Sequence, residues 1–269
     1  MADSRPIGVF DSGVGGFTVL RALHDLFPLE STVYLGDLAR CPYGTRPQSE
    51  VRRFALQVGD ILANEGVKLL VVACNTATAA AYEHLRDRYP FPVVGVIGPG
   101  AREAARLTRK RRVAVVATTG TVNSGAYRSA LLAECPDMFV VERPASWLVP
   151  LLERGPIGRA SVAAELSPLM LSLRGLDVDV LILGCTHFPL ARDLFEQEAG
   201  PGTVILDSAT TTANEVGRLL RESAMQSEGP AAHRFLVTGP AEAFAERAQT
   251  MFHASPVIET LDGLLTLTP

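Results

Sequence analysis

Short apolar, β-branched runs recur along the chain and alternate with longer stretches of helical periodicity. Strands are predicted at 7–10 (IGVF), 32–35 (TVYL), 69–73 (LLVVA), 92–96 (PVVGV) and 113–117 (VAVVA). Five more are predicted at 138–142 (MFVVE), 179–183 (DVLIL), 203–206 (TVIL), 234–237 (RFLV) and 256–259 (PVIE). Helices are predicted over 48–65, 76–88, 121–134, 158–174 and 210–223, with another after the glycine-rich segment that follows the first strand. Strands apolar on both faces and separated by helices imply an α/β protein with mainly parallel sheets flanked by helices. In such sheets ligands bind beyond the carboxyl ends of the strands.

The pattern is doubled. VVACNTAT (71–78) and LILGCTHF (181–188) each run an apolar strand into a cysteine and then into polar residues. DSG at 11–13 ends the first strand, and DSA at 207–209 ends a later one. Two pseudosymmetric domains are expected, residues 1–97 with 208–269 and residues 98–207, because the tail has too few elements for a domain of its own. Such halves would place Cys74 and Cys185 across one cleft.

Length and composition refine this picture. The 269 residues suit two moderate cores, and 47% hydrophobic with 20% charged residues is ordinary for a globular chain. A net charge of −4 gives no electrostatic case for nucleic acid or an anionic membrane as main partner. The start, MADSRPIGVF, lacks the features of a signal peptide, and no apolar run approaches a membrane span, so a cytoplasmic protein is expected. The four cysteines form no C-x-x-C, and a cytosolic chain would keep them reduced.

The glycines after the first strand fail the dinucleotide fingerprint, despite Asp37 some twenty residues on, because Thr18 stands where its last glycine belongs. Asp11 and Ser12 at that strand's carboxyl edge point to a site. The loop GDLARCPYGTRP (36–47) is elaborate enough to present backbone N–H groups and the Tyr43 hydroxyl to a ligand. The TTGT at 118–121 suits a carboxylate equally as well as an N-terminal helix cap. Glu153 ends a short apolar helix, where a solvated glutamate is the default, and Cys41 and Cys135 read as structural.

Cys74 and Cys185 carry the chemistry. A helix starting just after each would favour its thiolate, and His187 could assist Cys185. A metal bound by Cys74, Cys185 and His187 is the lesser alternative, since C-T-H spacing fits coordination poorly. Paired thiols without a cofactor motif fit racemisation by two bases. One thiolate removes the α-proton of an amino acid, and a thiol on the opposite face returns a proton. The α-carboxylate must then be hydrogen-bonded to stabilise the carbanionic state.

GVFDSGVGG, YLGDLARCPYGTRP, ACNTATA, TTGTVNSGAY, VPLLE and GCTHFPL occur together and in order over nearly the whole chain. In these motifs the chain resembles the glutamate racemase family. The resemblance implies two α/β domains with the active site between them, no cofactor or metal, glutamate as substrate, a homodimer and a role in peptidoglycan synthesis. It implies that Cys74 acts on the D-isomer and Cys185 on the L-isomer. Asp11 would assist Cys74, with His187 and Glu153 near Cys185. Ser12, Pro42, Tyr43, Gly44, Asn75, Thr76, Thr118, Thr119, Thr121 and Thr186 would form the substrate cradle. The alternatives are a racemase of aspartate or another small amino acid, and a family member that binds and inhibits DNA gyrase.

Overall fold

The computed structural model describes residues 3–252 and 257–261. Residues 1–2, 253–256 and 262–269 lie outside the described residues; they include parts of the first expected domain and the first position of the last predicted strand. Ten strands alternate with helices: β1 (Ile7–Asp11), β2 (Thr32–Gly36), β3 (Leu69–Val72), β4 (Val93–Gly95), β5 (Arg112–Ala117), β6 (Phe139–Pro144), β7 (Val180–Gly184), β8 (Val204–Asp207), β9 (His233–Val237) and β10 (Ile258–Thr260). The helices are α1 (Phe17–Leu26), α2 (Gln48–Asn64), α3 (Asn75–Arg88), α4 (Ile97–Leu107), α5 (Thr119–Ser124), α6 (Ala126–Glu134), α7 (Leu148–Glu153), α8 (Arg159–Arg174), α9 (Arg192–Ala199), α10 (Ser208–Glu222) and α11 (Glu242–Phe252). The helix predicted over 121–134 is two helices. Gly125 adopts φ 65°, a left-handed conformation open to glycine, and its N–H caps α5 on the Val122 carbonyl.

All strand pairs are parallel, in a six-stranded sheet β10-β9-β2-β1-β3-β4 and a four-stranded sheet β6-β5-β7-β8. The four central and edge strands β2-β1-β3-β4 repeat the order of β6-β5-β7-β8, so the doubling in the sequence is a doubling of topology. In each sheet the chain leaves its first strand in one direction for the second and returns past it for the third. The reversal falls between β1 and β3 in one sheet and between β5 and β7 in the other. Crevices at such reversals are where open α/β sheets bind ligands.

Alternate strand residues serve different cores. Ile7, Val9, Leu69 and Val71 share one cluster with Val113, Val115, Val180 and Ile182 of the other sheet, through α1, α4, α6 and α10. Phe10, Leu70 and Val72 face the opposite way, onto α2 and α3. Ala114, Val116, Leu181 and Leu183 face α7, α8 and α9. Both sheets are therefore apolar on both faces, as helices on both faces require. The shared cluster joins the two halves along their inner faces and sets their strand ends around one cleft.

Candidate active site

Cys74 follows β3 and caps α3. Its extended backbone (φ −74°, ψ 122°) starts the helix, and its sulfur accepts from the Ala77 N–H at 3.5 Å. The thiol lies 3.9 Å from the Ser12 hydroxyl. Asp11, fully buried at the end of β1, accepts from the Gly13 N–H at 2.9 Å and from the Thr186 hydroxyl of the other half at 3.3 Å. The expected lowering of this thiol's pKa by the helix is reversed. Burial, followed by the Asp11 carboxylate, pushes Cys74 well up, and the Ala77 N–H offsets only part of that.

Cys185 follows β7. No α-helix starts there, against expectation; residues 185–187 turn into a short 3₁₀ segment, Phe188–Ala191, with Pro189 in its first turn. Its electrostatic partner is a side chain. His187 Nδ1 lies 3.9 Å from Cys185 Sγ, and Nε2 lies 3.1 Å from Glu153 Oε1, so both ring nitrogens are engaged. Burial alone would pull the imidazole down. Hydrogen bonds to Cys185 and Glu153, with the negative charges of Cys185 and Asp11, instead raise it to about 10. The same bond to His187 holds the Glu153 carboxyl below its usual range, against burial.

The two sides close on each other at the glycine-rich turn. A Cβ on Gly15 would stand 2.5 Å from both His187 Nδ1 and Thr186 Oγ1. The Thr18 hydroxyl, one turn on, donates to the Thr186 carbonyl at 3.1 Å. Gly15 thus lets the Thr186–His187 segment of the second half rest on the first half's backbone.

Between the cysteines lies a cavity of about 310 Å³, lined by Ser12, Pro42, Tyr43, Gly44, Cys74, Asn75, Thr76, Thr118, Glu153, Cys185, Thr186 and His187. A larger groove of about 730 Å³, along α3, α4 and α10, contains neither cysteine. Thr76, Thr118 and Thr121 link their hydroxyls across the cleft at 2.9–3.3 Å. Thr118 caps α5, accepting from the Thr121 N–H, and also lines the cavity. Asn75 donates to Ser208 at 3.1 Å and accepts from the Tyr127 hydroxyl at 2.8 Å, which leaves its side chain tied to both halves.

The loop over the cavity is pinned from behind. Buried Asp37 accepts from Arg40 and Thr238, each at 2.6 Å, and from the Tyr43 hydroxyl. The Tyr43 hydroxyl is therefore committed to Asp37 and is not presented to a ligand as the sequence suggested. Gly44 O accepts from the Gly120 N–H at 2.8 Å, and a Cβ on Gly44 would press on Thr118 at 2.9 Å.

Three expected site residues sit outside the lining. Asp11 and Thr121 lie behind it, and exposed Thr119 bonds to Ser146 through its N–H at 2.7 Å. Five lining residues escaped sequence reasoning: Cys41, Thr45, Ser146, Val149 and Pro150. Cys41, structural by its sequence context, reaches the cavity, and burial pushes its thiol up to about 12. Its signal was its place inside CPYG, beside Pro42. Val149 and Pro150 lie on α7 with Glu153, and Ser146 in the turn just before it.

The sequence model of the Asp/Glu/Hydantoin racemase family matches residues 18–216. A glutamate racemase of Shouchella clausii is 43% identical over 267 residues, 97% of this chain and 96% of that protein. The crystal structure of glutamate racemase isoform RacE1 from Bacillus anthracis aligns with a TM-score of 0.94 at 36% identity, covering 97% of this chain and 98% of that one. The glutamate racemase from Francisella tularensis, solved in complex with D-glutamate, aligns with a TM-score of 0.87 at 30% identity, covering 97% and 98%.

Proposed function

The chain belongs to the Asp/Glu/Hydantoin racemase family, and we propose that it interconverts L-glutamate and D-glutamate with two cysteines acting on opposite faces of the α-carbon. The observation that carries this reading is the placement of Cys74 and Cys185 at equivalent strand ends around one cavity of about 310 Å³. That volume suits a small amino acid. With L-glutamate bound, Cys185 takes the α-proton while His187, held cationic by Glu153, lies beside the sulfur. Cys74, kept as a thiol by burial and Asp11, delivers a proton to the other face. The reverse reaction exchanges the two roles. Ser12, Asn75, Thr76, Thr118 and Thr186 line the cavity with polar groups, and substrate carboxylates would take over hydrogen bonds that several of these now make within the protein, the stabilisation that a carbanionic α-carbon needs. Asp11, Thr119 and Thr121 support these groups from outside the lining.

The reading extends to a cytoplasmic homodimer that needs no added cofactor and supplies D-glutamate for peptidoglycan. Among the described residues no helix is long and apolar enough to cross a membrane. The division into residues 1–97 with 208–269, and 98–207, belongs to the same proposal. Sedimentation of the pure protein tests the dimer.

The deciding experiment incubates pure protein with L- or D-glutamate, and separately with aspartate, following optical activity by circular dichroism. Racemisation of aspartate but not glutamate would move the chain to the alternative substrate. In heavy water, nearly every early product molecule should carry solvent deuterium while recovered substrate stays almost unlabelled. Substantial protium in the product would mean a single base serves both faces. Activity lost on exhaustive chelation and restored by zinc would overturn the cofactor-free mechanism.

A further inference from the structure

Glu153 reaches His187 from the last residue of α7, a helix of six residues whose first turn has no side-chain cap. So short a helix has little stability of its own. Gly155 follows at φ +64° and turns the chain away. Something outside α7 must therefore fix where Glu153 stands.

That contact comes from the other half of the molecule. Arg247 lies on α11, between β9 and β10 of the six-stranded sheet. Its guanidinium donates to the carbonyl of Leu152 at 3.4 Å and to that of Glu153. These are carbonyls at the C-terminal end of α7, its negative pole; that of Leu152 also accepts from the N–H of the cap residue Arg154. The guanidinium also packs 3.5 Å from the position a Cβ would take on Gly155. It thus grips both the end of α7 and the turn after it. The halves meet here around a cavity of about 200 Å³ bounded by Phe17, Glu153, His187, Arg247 and Met251.

We infer that Arg247 is a positioning residue for the Cys185 side of the reaction, holding the end of α7, and through it Glu153 and His187, in register with Cys185 when the two halves are closed. The inference rests on the racemase reading above. It gives the cleft a polar latch on one side: separating the halves releases Arg247 from α7 and frees Glu153 from its place behind His187. The charge of Arg247 acts in the same sense, since it adds to the larger effect of His187 in holding the Glu153 carboxyl low against burial. Asp11, Cys41 and Cys185 are the negative or ionisable groups that also face this dyad, and Arg21 lines the same cavity.

The test is a double-substitution cycle on the full chain with Arg247→Ala and Glu153→Gln, measured as kcat, KM and pH profile by circular dichroism. The two enantiomers have equal free energy in achiral water, so kcat/KM stays equal in both directions and either direction reports the loss. Arg247→Ala should lower kcat by about tenfold or more, the scale of a displaced assisting group, with less change in KM. The alkaline limb of the profile should move to lower pH, as in Glu153→Gln, because an imidazole without Glu153 yields to burial. The double variant should be no slower than Glu153→Gln alone, since both act through one contact. Arg247→Lys, which keeps a cation at the helix end, should recover much of the loss. Near-wild-type kcat in Arg247→Ala overturns the inference. Additive losses with Glu153→Gln overturn it too, as does an unchanged pH profile with only a lower melting temperature. A wild-type protein that racemises nothing overturns the parent reading and this one with it.

Discussion

Cys74 and Cys185 end equivalent strands of sheets with the same order, yet their surroundings carry opposite charge. Cys74 faces a neutral hydroxyl, a backbone N–H and the Asp11 carboxylate, and burial keeps it protonated. Cys185 faces an imidazole raised to about 10 and backed by Glu153. Duplicated topology supplies two positions on opposite sides of a cavity; it does not supply equal electrostatics. A two-base racemase starts each turnover with one thiolate and one thiol, and at the carbanionic stage both sulfurs carry protons. On the proposed mechanism the two roles exchange with direction, so the asymmetry lies in the groups that assist each sulfur.

The comparison breaks most visibly at the sulfurs themselves. Cys74→Ser and Cys185→Ser should each lower kcat by about 10²–10⁴-fold, the range of a lost general acid or base, while circular dichroism of the backbone is unchanged. Near-wild-type turnover in either would make that cysteine structural and end the pairing.

His187→Gln comes next, with a loss of about 10²-fold expected from a displaced or missing assisting group. It also has a signature in stability. The folded-state pKa of about 10 stands above the ordinary 6.5, so His187 contributes stability that is full below about 6.5 and is lost as pH rises towards 10. Thermal melts from pH 6.5 to 10 should fall more steeply in the wild type than in His187→Gln. Parallel curves would mean that the imidazole is not held cationic by its neighbours.

The Cys74 side should be gentler. Asp11→Asn keeps an acceptor for the Gly13 N–H and removes only charge, so a loss of about tenfold is expected, read as kcat in the same assay. Ser12→Ala removes a neutral hydroxyl 3.9 Å from the sulfur and should cost only a few-fold, about the worth of one ordinary hydrogen bond. A Ser12→Ala loss as large as that of His187→Gln would show that the two sides are assisted alike.

Much of this was legible in the chain itself. Each strand core was visible because both faces are apolar, as in VAVVA and LILG, and the helical stretches between them mark such runs as buried parallel strands. The pair of cysteines was visible because matched strand ends repeat, and strand ends are where such sheets bind. Tertiary structure decided what local pattern cannot carry. The sign of the charge beside each cysteine depends on burial and on residues far away in sequence: Asp11 for Cys74, Glu153 for His187. The Tyr43 hydroxyl went to Asp37 because Arg40 and Thr238 converge there on the same carboxylate. The purpose of Gly15 became clear only with His187 and Thr186 lying where its side chain would be, and the grip of Arg247 on α7 only with α11 packed across the cleft. Periodicity reports which face of an element is covered. Which charge stands opposite it is set by the three-dimensional closure of the two halves, because electrostatic partners are chosen by distance in space and by the water excluded between them.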